Sequence, residues 1–488
     1  MTTPAGVETN SKSNSEQEAK FENKVGVISC KSGQRVSSSG RIIVSKKGWL
    51  LRISAIVGTC IIAFLHIFQG IESGNFLVVY STIVLMHAII IFTVGWFFYR
   101  NPAKGKIGNE LVSVIIPVYN QQEMIEIVID AIFRSTYTNI EVIAVNDGSK
   151  DGTKEQLNKL AKKFPQLKVI HKGNEGKRKA VATGFQVSKG KYVILIDSDS
   201  VVDEYALAEL MKTFNSNPKI GAVVGQAKVW NSEKNFLTKC QDAWYDYAFN
   251  IYKICESTFG SVTCCSGCLA GYRREAISDF IPYWAESKVQ YSDDRALTNY
   301  AISSPNVKKE MASPIAQKLL ESTAKYDDSE DRVLTVQSLV EWNAVYVASA
   351  TVYTDVPEKL RGYLRQQQRW KKGYIRSNFF ASAFFWRKHP LMALVFYTDF
   401  MVTFTLPLVL FTVFFYEPVI MQHYFIPLTF TAGLVLMGLA QGGDYKFRDP
   451  NTKNWKYKPI MNMISAFVLS WLLFPAVLTL KQNTWLTR

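Results

Sequence analysis

Two acidic motifs in this sequence have the residue types of a catalytic base and its neighbours. The stretch YSDDRALTNYA, which begins at Tyr291, contains Asp294, and the later stretch SEDRVLTVQSL contains Asp331. In both stretches an acidic pair is followed by Arg and then, at the same spacing, by Leu and Thr. A carboxylate in such a motif can take a proton from a reacting hydroxyl group. The same residues can equally be the charged start of a helix.

A further carboxylate pair lies in ILIDSDS, where Asp197 and Asp199 follow a hydrophobic run typical of a buried strand. A hard divalent cation needs only one or two protein carboxylates when a diphosphate supplies the other oxygen ligands. Such pairs also occur in ordinary loops, but here a matching NDGS turn follows an earlier hydrophobic run. In that turn Asp147 is either the capping residue of a tight turn or an acceptor for the base or ribose of a nucleotide.

Two short segments carry cations that could face a phosphate group. In HKGNEGKRKAV, Lys177, Arg178 and Lys179 precede a helical pattern, so cations and helix N–H groups could bind phosphate together. A solvated basic turn has the same composition. In QQQRW, residues 366–370, the amides suit sugar hydroxyls, the guanidinium suits a diphosphate and the indole suits a pyranose face. An ordinary amphipathic helix is the alternative.

The elements that must position these residues follow an alternating pattern. Four hydrophobic runs, VSVIIPVY, EVIAVND, LKVIH and KYVILIDSD, are separated by helical patterns at 123–133, 153–164 and 179–188. Strands that alternate with helices predict a doubly wound α/β sheet. Ligands of such sheets bind at the carboxyl ends of the strands, where Asp147, Asp197 and Asp199 are expected. We expect this domain to extend over residues 108–370.

Apolar segments flank the domain on both sides. Each is near the length of about 20 residues that a bilayer-spanning helix needs, and they lie at 49–68, 76–99, 391–416, 421–440 and 460–480. Lys and Arg border the outer ends of the first pair and fill the loop between the last two. The positive-inside rule therefore predicts that the domain between them is cytoplasmic.

The segments around the membrane helices have their own composition. Residues 46–100 are expected to contain two spans, and residues 391–488 the remaining spans and a terminal segment. Residues 371–390, rich in Phe, Trp and Arg, predict an interfacial helix. Residues 1–45 are polar and lack periodicity, so we expect a disordered tail there.

Composition supports the same organisation and limits the classes of molecule that the protein is expected to bind. The chain has 488 residues, of which 48% are hydrophobic and 20% charged, and its mean hydropathy is +0.01, as when a polar domain and very apolar segments are averaged. The net charge is +15. Because the basic residues crowd beside apolar runs, we expect a lipid bilayer and an anionic substrate as partners, and no nucleic acid.

The cysteines indicate neither a disulfide framework nor a zinc site. The 7 cysteines are irregularly scattered, unlike those of a disulfide-stapled fold. Cys265 and Cys268 form a lone CxxC without the second ligand pair that a zinc site would need.

Taken in series, the motifs resemble those of a known family. NDGS, DSDS, SGCLAGYRR, DDRALT and QQQRW, in this order between apolar segments, resemble the processive family 2 glycosyltransferases, which include hyaluronan, chitin and cellulose synthases. GQAKVWN, TCCSGCLAGY, YSDDRALTN and the terminal WLTR are most similar to hyaluronan synthase segments. Two departures are Ser292, where the family usually has Gly before the two acids, and Leu486, where WGTR has Gly.

The resemblance implies a GT-A-type nucleotide-sugar-binding domain, an α-helical transmembrane bundle with interfacial helices, and roles for individual residues. Asp199 would hold Mg²⁺ or Mn²⁺. Donor binding would involve Asp147, Lys177, Asp197, Gln366, Arg369, Trp485 and Arg488. Acceptor binding would involve Cys264, Ser266, Gly267, Gly271 and Trp370.

The resemblance also bears on which acidic motif holds the base. The first copy, introduced by Tyr291 and continuing as LTN, is the fuller match, so Asp294 would be the base. Residues 302–329 would then be an inserted, mostly polar helix. Measured back from QQQRW, however, the second copy has the family's spacing, and Asp331 remains the alternative.

The implied activity is polymerisation of UDP-sugars into a β-linked, hyaluronan-like polysaccharide at the plasma membrane, with export through the enzyme's own channel. The donors would be UDP-N-acetylglucosamine, with or without UDP-glucuronate, and the growing polysaccharide would stay bound. One carboxylate is sufficient to deprotonate the acceptor hydroxyl, and a metal with cationic side chains can stabilise the leaving UDP. A single base without a carboxylate nucleophile predicts in-line displacement with inversion.

Three alternatives remain open: an N-acetylglucosamine homopolymer synthase of the chitin type, a non-processive transferase acting on a lipid phosphate, and a non-catalytic membrane protein with a degenerate domain. QQQRW together with WLTR argues against the second alternative. Intact Asp147, Asp199, Asp294 and Arg369 argue against the third.

The terminal WLTR raises a topological problem. A complete crossing by 460–480 would place WLTR on the outer side, whereas the family has it over the cytoplasmic donor site. Proline inside a helix removes a backbone hydrogen bond and commonly kinks the helix. We therefore expect a bend near Phe474 and Pro475 and a re-entrant path that leaves Trp485 and Arg488 on the cytoplasmic side.

Overall fold

A mixed sheet forms the centre of the soluble part of the chain. The computed structural model describes residues 35–73, 76–286, 292–305, 307–308 and 341–480. The strands are β1 (Val112–Val118), β2 (Ile140–Asp147), β3 (Leu167–Lys172), β4 (Tyr192–Leu195), β5 (Ser200–Val202), β6 (Ile220–Val229), β7 (Ala270–Arg273) and β8 (Asn343–Thr354). Their order in the sheet is β3-β2-β1-β4-β7-β6-β8-β5.

Helices cover the sheet and extend away from it. Within the described residues they are α1 (Lys46–Ser73), α2 (Phe76–Thr93), α3 (Ile125–Phe133), α4 (Thr153–Lys163), α5 (Lys177–Val187), α6 (Ala206–Ser216), α7 (Phe236–Tyr247), α8 (Ile254–Thr258), α9 (Arg274–Ile277), α10 (Ile281–Glu286), α11 (Asp293–Ile302), α12 (Leu360–Phe385), α13 (Pro390–Phe411), α14 (Ile426–Arg448), α15 (Lys458–Ile464) and α16 (Leu473–Leu478). α2 and α13 continue as π-helical turns over Val94–Phe98 and Thr412–Ile420.

The four predicted hydrophobic runs form the parallel half of the sheet. β1 lies between β2 and β4, with Ile115 opposite Ile143 and Leu195, and every residue of β1 is buried. Burial on both faces explains why the run is continuously apolar rather than alternating. The predicted doubly wound α/β class is confirmed in this half.

The other half of the sheet is mixed. β7 pairs antiparallel with both β4 and β6, and β5 pairs antiparallel with β8. β5 and β7 are only 3 and 4 residues long, too short to produce a recognisable period in the sequence. β6 and β8 are parallel to each other and run in the same direction as β1, so β8 also ends at the edge where β2 and β4 end.

Five helices within the described residues are long and apolar enough to cross a membrane. They are Lys46–Phe68, Phe76–Phe98, Pro390–Ile420, Ile426–Arg448 and Asn454–Leu478, one for each predicted apolar segment. The fourth begins at Ile426, later than the expected residue 421, because Pro427 occupies its first turn, where a proline is favoured.

Buried ion pairs hold the sheet domain against two of these helices. Nη2 of Arg448 lies 2.5 Å from Oδ2 of Asp246 on α7, and its Nε lies 2.7 Å from Oδ2 of Asp444. Oδ1 of Asp444 lies 2.7 Å from Nε of Arg52 on α1. Because a buried charge is stable only when it is paired, this network fixes the docking of α7 on α1 and α14.

The last apolar segment changes its hydrogen bonding before Pro475. Ser465–Leu469 is a π-helical turn, Ser470–Leu472 is a 3₁₀ turn, and α16 then begins. Pro475 lies in the first turn of α16, directly after these irregular turns. The irregular turns end at Leu472, and the bend expected near Phe474 and Pro475 stays a prediction. The re-entrant path of Trp485 and Arg488 lies outside the described residues and stays a prediction.

The structure changes the limits of two predicted segments. Of the tail expected over residues 1–45, the last part is ordered: Val36 bridges Ile42, and Ile42 is buried in the core. The apolar Ile42 provides the burial that a purely polar tail would lack. The interfacial helix expected at 371–390 is the second half of α12, which begins at Leu360 and contains QQQRW.

Candidate active site

A cavity of about 1190 Å³ opens at the carboxyl edge of the sheet. Its walls are the loops that follow β1, β2, β3, β4 and β8, together with the first half of α12. The site expected from the strand ends is therefore present, because parallel strands bring their carboxyl ends to one edge. The predicted donor residues that line it are Asp147, Lys177, Asp197, Gln366 and Arg369, and Asp199 lines it as well.

Asp147 organises the loop on the cavity wall. It is buried, and its two carboxylate oxygens accept hydrogen bonds from the backbone N–H groups of Glu175 (3.0 Å) and Gly176 (2.7 Å). The turn-capping role considered for Asp147 belongs instead to Asn146, whose Oδ1 accepts from the N–H of Ser149 at 3.0 Å. Asp147 thus holds the approach to α5 and still lines the cavity.

Lys177 lies between two carboxylates. It is the first residue of α5, and its Nζ lies 2.5 Å from Oδ1 of Asp197. Burial alone would lower the pKa of Lys177, but the charges of Asp197 and Asp294 outweigh burial and raise it. The ammonium therefore stays protonated and holds negative charge at the end of the cavity.

Asp199 is the residue predicted to hold a cation. It lines the cavity beside Asp197, and its Oδ1 accepts a hydrogen bond from the Ser200 hydroxyl at 3.2 Å. Among the described residues, no three His, Cys, Asp or Glu side chains gather for a metal ion. A Mg²⁺ or Mn²⁺ ion here would thus take most of its oxygen ligands from a bound diphosphate and water, as such ions commonly do.

Asp294 lies just beyond Lys177 and Asp197. These three residues and Gly267 line a small void of about 10 Å³ next to the main cavity. Oδ2 of Asp294 accepts a hydrogen bond from the N–H of Gly267 at 3.0 Å. Burial raises the pKa of Asp294, with Asp197 adding to the rise and Lys177 opposing it. A carboxylate with a raised pKa is a better proton acceptor than an ordinary Asp.

The other acid of the motif, Asp293, has a different environment. Its Oδ1 lies 2.6 Å from Nη2 and 2.8 Å from Nε of Arg178, and both side chains are buried. Arg178 also donates to the backbone oxygen of Trp284 at 3.3 Å. Asp293 therefore anchors α11 to α5, whereas Asp294 faces Lys177 and Gly267. Arg178 is one of the cations considered for phosphate binding, and in the structure it is part of this ion pair.

α12 presents its polar residues to the cavity on one face. Gln366 and Arg369 line the cavity, and the buried Oε1 of Gln366 finds no hydrogen-bond partner among the described residues. Burial lowers the pKa of Arg369, while the charges of Asp294, Asp293 and Asp197 oppose this effect. An amide and a guanidinium so placed suit a ligand with oxygen acceptors.

Trp370 belongs to an aromatic cluster. Its ring stacks on that of Trp244 from α7, with centroids 5.6 Å apart and planes inclined by 22°. The centroid of Tyr245 lies 6.5 Å away. One face of Trp370 is thus covered by protein, and its role toward a sugar stays a prediction.

The expected acceptor segment is only partly assembled around Asp294. Cys264 and Ser266 are half-buried, and Gly267 contacts Asp294. The role expected for Gly271 is wrong: it lies within β7, where a Cβ would come 2.7 Å from Cγ2 of Val223. Gly271 lets neighbouring strands pack closely and does not reach the cavity.

Three predicted site residues lie outside the described residues. These are Asp331, Trp485 and Arg488, and most of the expected insertion at 302–329 lies outside them as well. Of the two candidate bases, Asp294 lies within the described residues and Asp331 does not, so the choice between them stays a prediction.

Some residues that line the cavity are not among those predicted from the sequence. The loop after β1 contributes Asn120, whose φ is +51°, and it is tied to the NDGS turn by the Asn120 N–H, which donates to Ser149 Oγ at 2.9 Å. Asp355 and Arg365 also line the cavity. Asp355 follows β8 directly, so the rule that located Asp197 would have located it too.

Comparison with known proteins finds a family model and relatives that are similar to this chain. Residues 113–281 match the model of glycosyl transferase family 2. The chain is 27% identical over 424 residues to the hyaluronan synthase of Streptococcus pyogenes, an alignment that covers 84% of this chain and 90% of the relative. It is 31% identical over 270 residues to an N-acetylglucosaminyltransferase of Azorhizobium caulinodans, covering 54% of this chain and 60% of the relative.

Among solved structures, a mannosyltransferase from Pyrobaculum calidifontis in complex with GDP-Man and Mn²⁺ aligns with a TM-score of 0.48 at 16% identity, covering 83% of this chain and 99% of that one. The family match spans β1 to β7 and so contains Asp147, Lys177, Asp197 and Asp199. With the α/β sheet, the cavity at its carboxyl edge and five apolar helices, the chain carries a match to glycosyl transferase family 2 over residues 113–281 and is similar to the hyaluronan synthases.

Proposed function

We propose that this protein is a processive, inverting transferase that polymerises UDP-activated sugars into a β-linked, hyaluronan-like polysaccharide and exports it. The observation that carries the proposal is the position of Asp294. It lies beyond the cavity that suits a nucleotide sugar, next to Lys177 and Asp197, which line both the cavity and the void beside Asp294. The Asp294 carboxylate there has the position of a base acting on an acceptor hydroxyl.

The relatives support a polysaccharide product. The Streptococcus pyogenes relative is a hyaluronan synthase, and the chain aligns with 90% of its length. The Azorhizobium relative is an N-acetylglucosaminyltransferase, which supports N-acetylglucosamine as one donor sugar and keeps a homopolymer of that sugar as the second candidate product.

The chemistry requires few groups. The acceptor hydroxyl passes its proton to Asp294 as its oxygen forms a bond to C1 of the donor sugar, and the bond from C1 to the diphosphate oxygen breaks. UDP then leaves with the electron pair of that bond. Because attack and departure occur on opposite faces of C1, an α-linked donor yields a β-linkage.

We assign the donor to the large cavity. Gln366 and Arg369 would bind its diphosphate from α12, and Asp147 with the loop it holds would contact the nucleoside. Lys177 and Asp197 would border the sugar, and Asp199 would hold Mg²⁺ or Mn²⁺. That cation would neutralise charge on the departing diphosphate. Trp485 and Arg488 would close over the donor, and Cys264, Ser266, Gly267 and Trp370 would border the acceptor.

A polar path toward the membrane helices supports export. The guanidinium carbon of Arg295, next to Asp294, lies 5.2 Å from the ring centroid of Tyr374. The Tyr374 hydroxyl donates to Oδ2 of Asp399 at 2.6 Å, and Asp399 lies within the apolar span Pro390–Ile420. A carboxylate in such a span is costly unless it faces a polar interior, as the wall of a polysaccharide channel would be.

One assay tests the function. Purified protein with Mn²⁺ is incubated with radiolabelled UDP-N-acetylglucosamine, with and without UDP-glucuronate, and the product is sized. A polymer that requires both donors is the expected result. A polymer from UDP-N-acetylglucosamine alone would indicate a chitin-type synthase, and a single transfer to lipid would indicate the non-processive alternative. No release of UDP with either donor would refute a catalytic role.

The proposed orientation has its own test. With the catalytic domain cytoplasmic at the plasma membrane, a cysteine introduced at Thr487 should react with an impermeant reagent only after the cytoplasmic face is opened. Labelling from outside intact cells would contradict both the re-entrant path and a closing role for Trp485.

A further inference from the structure

Ser292 has a backbone conformation that is unusual for its side chain. It directly precedes α11, the helix that carries Asp294, and its φ and ψ are +66° and +38°. This left-handed region is unfavourable for residues with a Cβ atom and favours glycine. Glycine is also what the related motif usually has at this position. The chain therefore retains a strained serine where a glycine would be relaxed.

The Ser292 side chain contacts α12. Its Oγ lies 2.7 Å from Oγ of Ser377, and it donates to the backbone oxygen of Gly373 at 3.3 Å. A Cβ on Gly373 would come 2.8 Å from Cβ of Ser292, so the glycine at position 373 is what allows the two segments to approach. A second bond joins the same helices, from Nδ2 of Asn299 to the backbone oxygen of Ser377 at 3.4 Å.

The contact lies on the same face of α12 as the cavity residues. Arg369, Gly373 and Ser377 follow one another at intervals of four residues, so their side chains share one face of the helix. Arg369 lines the cavity, and two turns further along the same face Ser377 meets Ser292. The Ser292–Ser377 bond thus connects the segment that begins the helix of Asp294 to the helix of Arg369.

We propose that Ser292 is a positioning residue: its hydroxyl fixes the start of α11 against α12 and so sets the separation between Asp294 and the diphosphate end of the donor. The inference rests on the proposed function, in which Asp294 is the base and Arg369 binds the diphosphate. Displacement of a reacting group by about 1 Å can lower the rate about a hundredfold. A short hydrogen bond between these helices can therefore affect the turnover rate. The nucleoside end of the cavity does not contact Ser292, so donor binding should be spared.

The test compares the hydroxyls on the two sides of the bond. Ser292→Gly, Ser292→Ala and Ser377→Ala should each lower kcat about three- to tenfold, the factor expected for one neutral hydrogen bond. The KM for the UDP-sugar and the affinity for UDP should stay unchanged. The double variant Ser292→Ala/Ser377→Ala should be no slower than either single variant, and Ser377→Thr, which keeps a hydroxyl, should retain activity. Ser382→Ala is the matched control, because the Ser382 hydroxyl donates to the backbone oxygen of Phe379 within α12.

Two results would overturn the inference: wild-type kcat in Ser292→Gly, which would mean that relief of backbone strain is all that matters there, or losses that multiply in the double variant. If Ser292→Ala does not fold, Ser377→Ala against Ser377→Thr provides the same comparison from α12. Failure of the proposed function is a separate outcome. It would show as polymer synthesis by Asp294→Asn, a variant that leaves both serines intact.

Discussion

The backbone N–H of Gly267 donates a 3.0 Å hydrogen bond to Oδ2 of Asp294. A Cβ placed on Gly267 would lie 3.0 Å from Nζ of Lys177, 3.2 Å from Oδ1 of Asp294 and 3.3 Å from Oδ1 of Asp197. The absence of a side chain at Gly267 therefore leaves room where three charged groups converge. This room adjoins the cavity, and in the proposed reaction the acceptor hydroxyl must reach it.

Substitution Gly267→Ala tests that relationship. The added methyl group would crowd the three charged groups, and we expect kcat to fall by at least about tenfold, since small misplacements of reacting groups are costly. Gly173→Ala is the control, because a Cβ there meets nothing within 4 Å. Turnover measured as UDP release decides the question, and full activity in Gly267→Ala would show that the acceptor does not approach along this side of Asp294.

A pair of conservative substitutions distinguishes which of the two acidic motifs contains the base. Asp294→Asn should abolish polymer synthesis while UDP still binds, because the amide cannot accept the proton but fills the same volume. Asp331→Asn should leave most of the activity. Incorporation of radiolabelled sugar measures both variants, and the opposite pattern would move the base to Asp331.

Breaking the ion pair between Arg178 and Asp293 should lower the stability of the fold rather than act on the reaction itself. Both side chains are buried, at 9% and 10% exposure, so Arg178→Met leaves an uncompensated carboxylate and should lower the free energy of unfolding by about 3–5 kcal/mol. The double variant Arg178→Met/Asp293→Leu should recover much of this loss. Arg134→Met is the control: its pair with Asp130 is 4.0 Å long and exposed on the arginine side, and such pairs contribute at most about 1 kcal/mol. Thermal unfolding in detergent measures all three, and equal melting temperatures for Arg178→Met and Arg134→Met would contradict the assignment.

The strand ends explain why part of the site was predictable. Asp147, Asp197 and Asp199 follow continuous hydrophobic runs, and parallel strands must bring such ends to one edge. The order of the motifs along the chain then suggested which residues join them. The structure assembles Gln366 and Arg369 with these acids, although α12 lies far from β2 in sequence.

Other features depend on contacts that no local pattern reports. Gly271 lies within a family motif, but spacing cannot distinguish a glycine that lines a site from one that lets strands pack closely. Asp147 accepts its bonds from the loop at Glu175 and Gly176, whose path depends on the whole sheet. The contacts that link Arg295 to Tyr374 and Asp399 join residues on three separate helices, and amphipathic periodicity identifies none of them.

The cation expected at Asp199 gives a binding prediction. Asp199→Asn removes the carboxylate that we assign to the metal, so the increase in UDP affinity that Mn²⁺ produces should be lost or strongly reduced. Asp203→Asn removes the same charge from a residue that caps the following turn through the N–H of Tyr205, and it should leave the metal effect intact. Calorimetric titration of UDP with and without Mn²⁺ compares the two variants. An unchanged metal effect in Asp199→Asn would exclude Asp199 as a ligand.

The charges around Asp294 predict the direction of a pH shift. A general base works in its ionised form, so activity is present above the pKa of Asp294 and is lost as the pH falls through it. Burial raises this pKa and Lys177 lowers it, so Lys177→Met should move the acid limb of kcat/KM to higher pH, by about one unit or more for a charge this close. Lys179→Met removes the same charge two residues away, where the ammonium pairs with Glu175 at 3.3 Å, and should not move the limb. The pH at which kcat/KM falls to half its plateau measures both variants. A limb that stays in place or moves to lower pH in Lys177→Met would show that the titrating group is not Asp294.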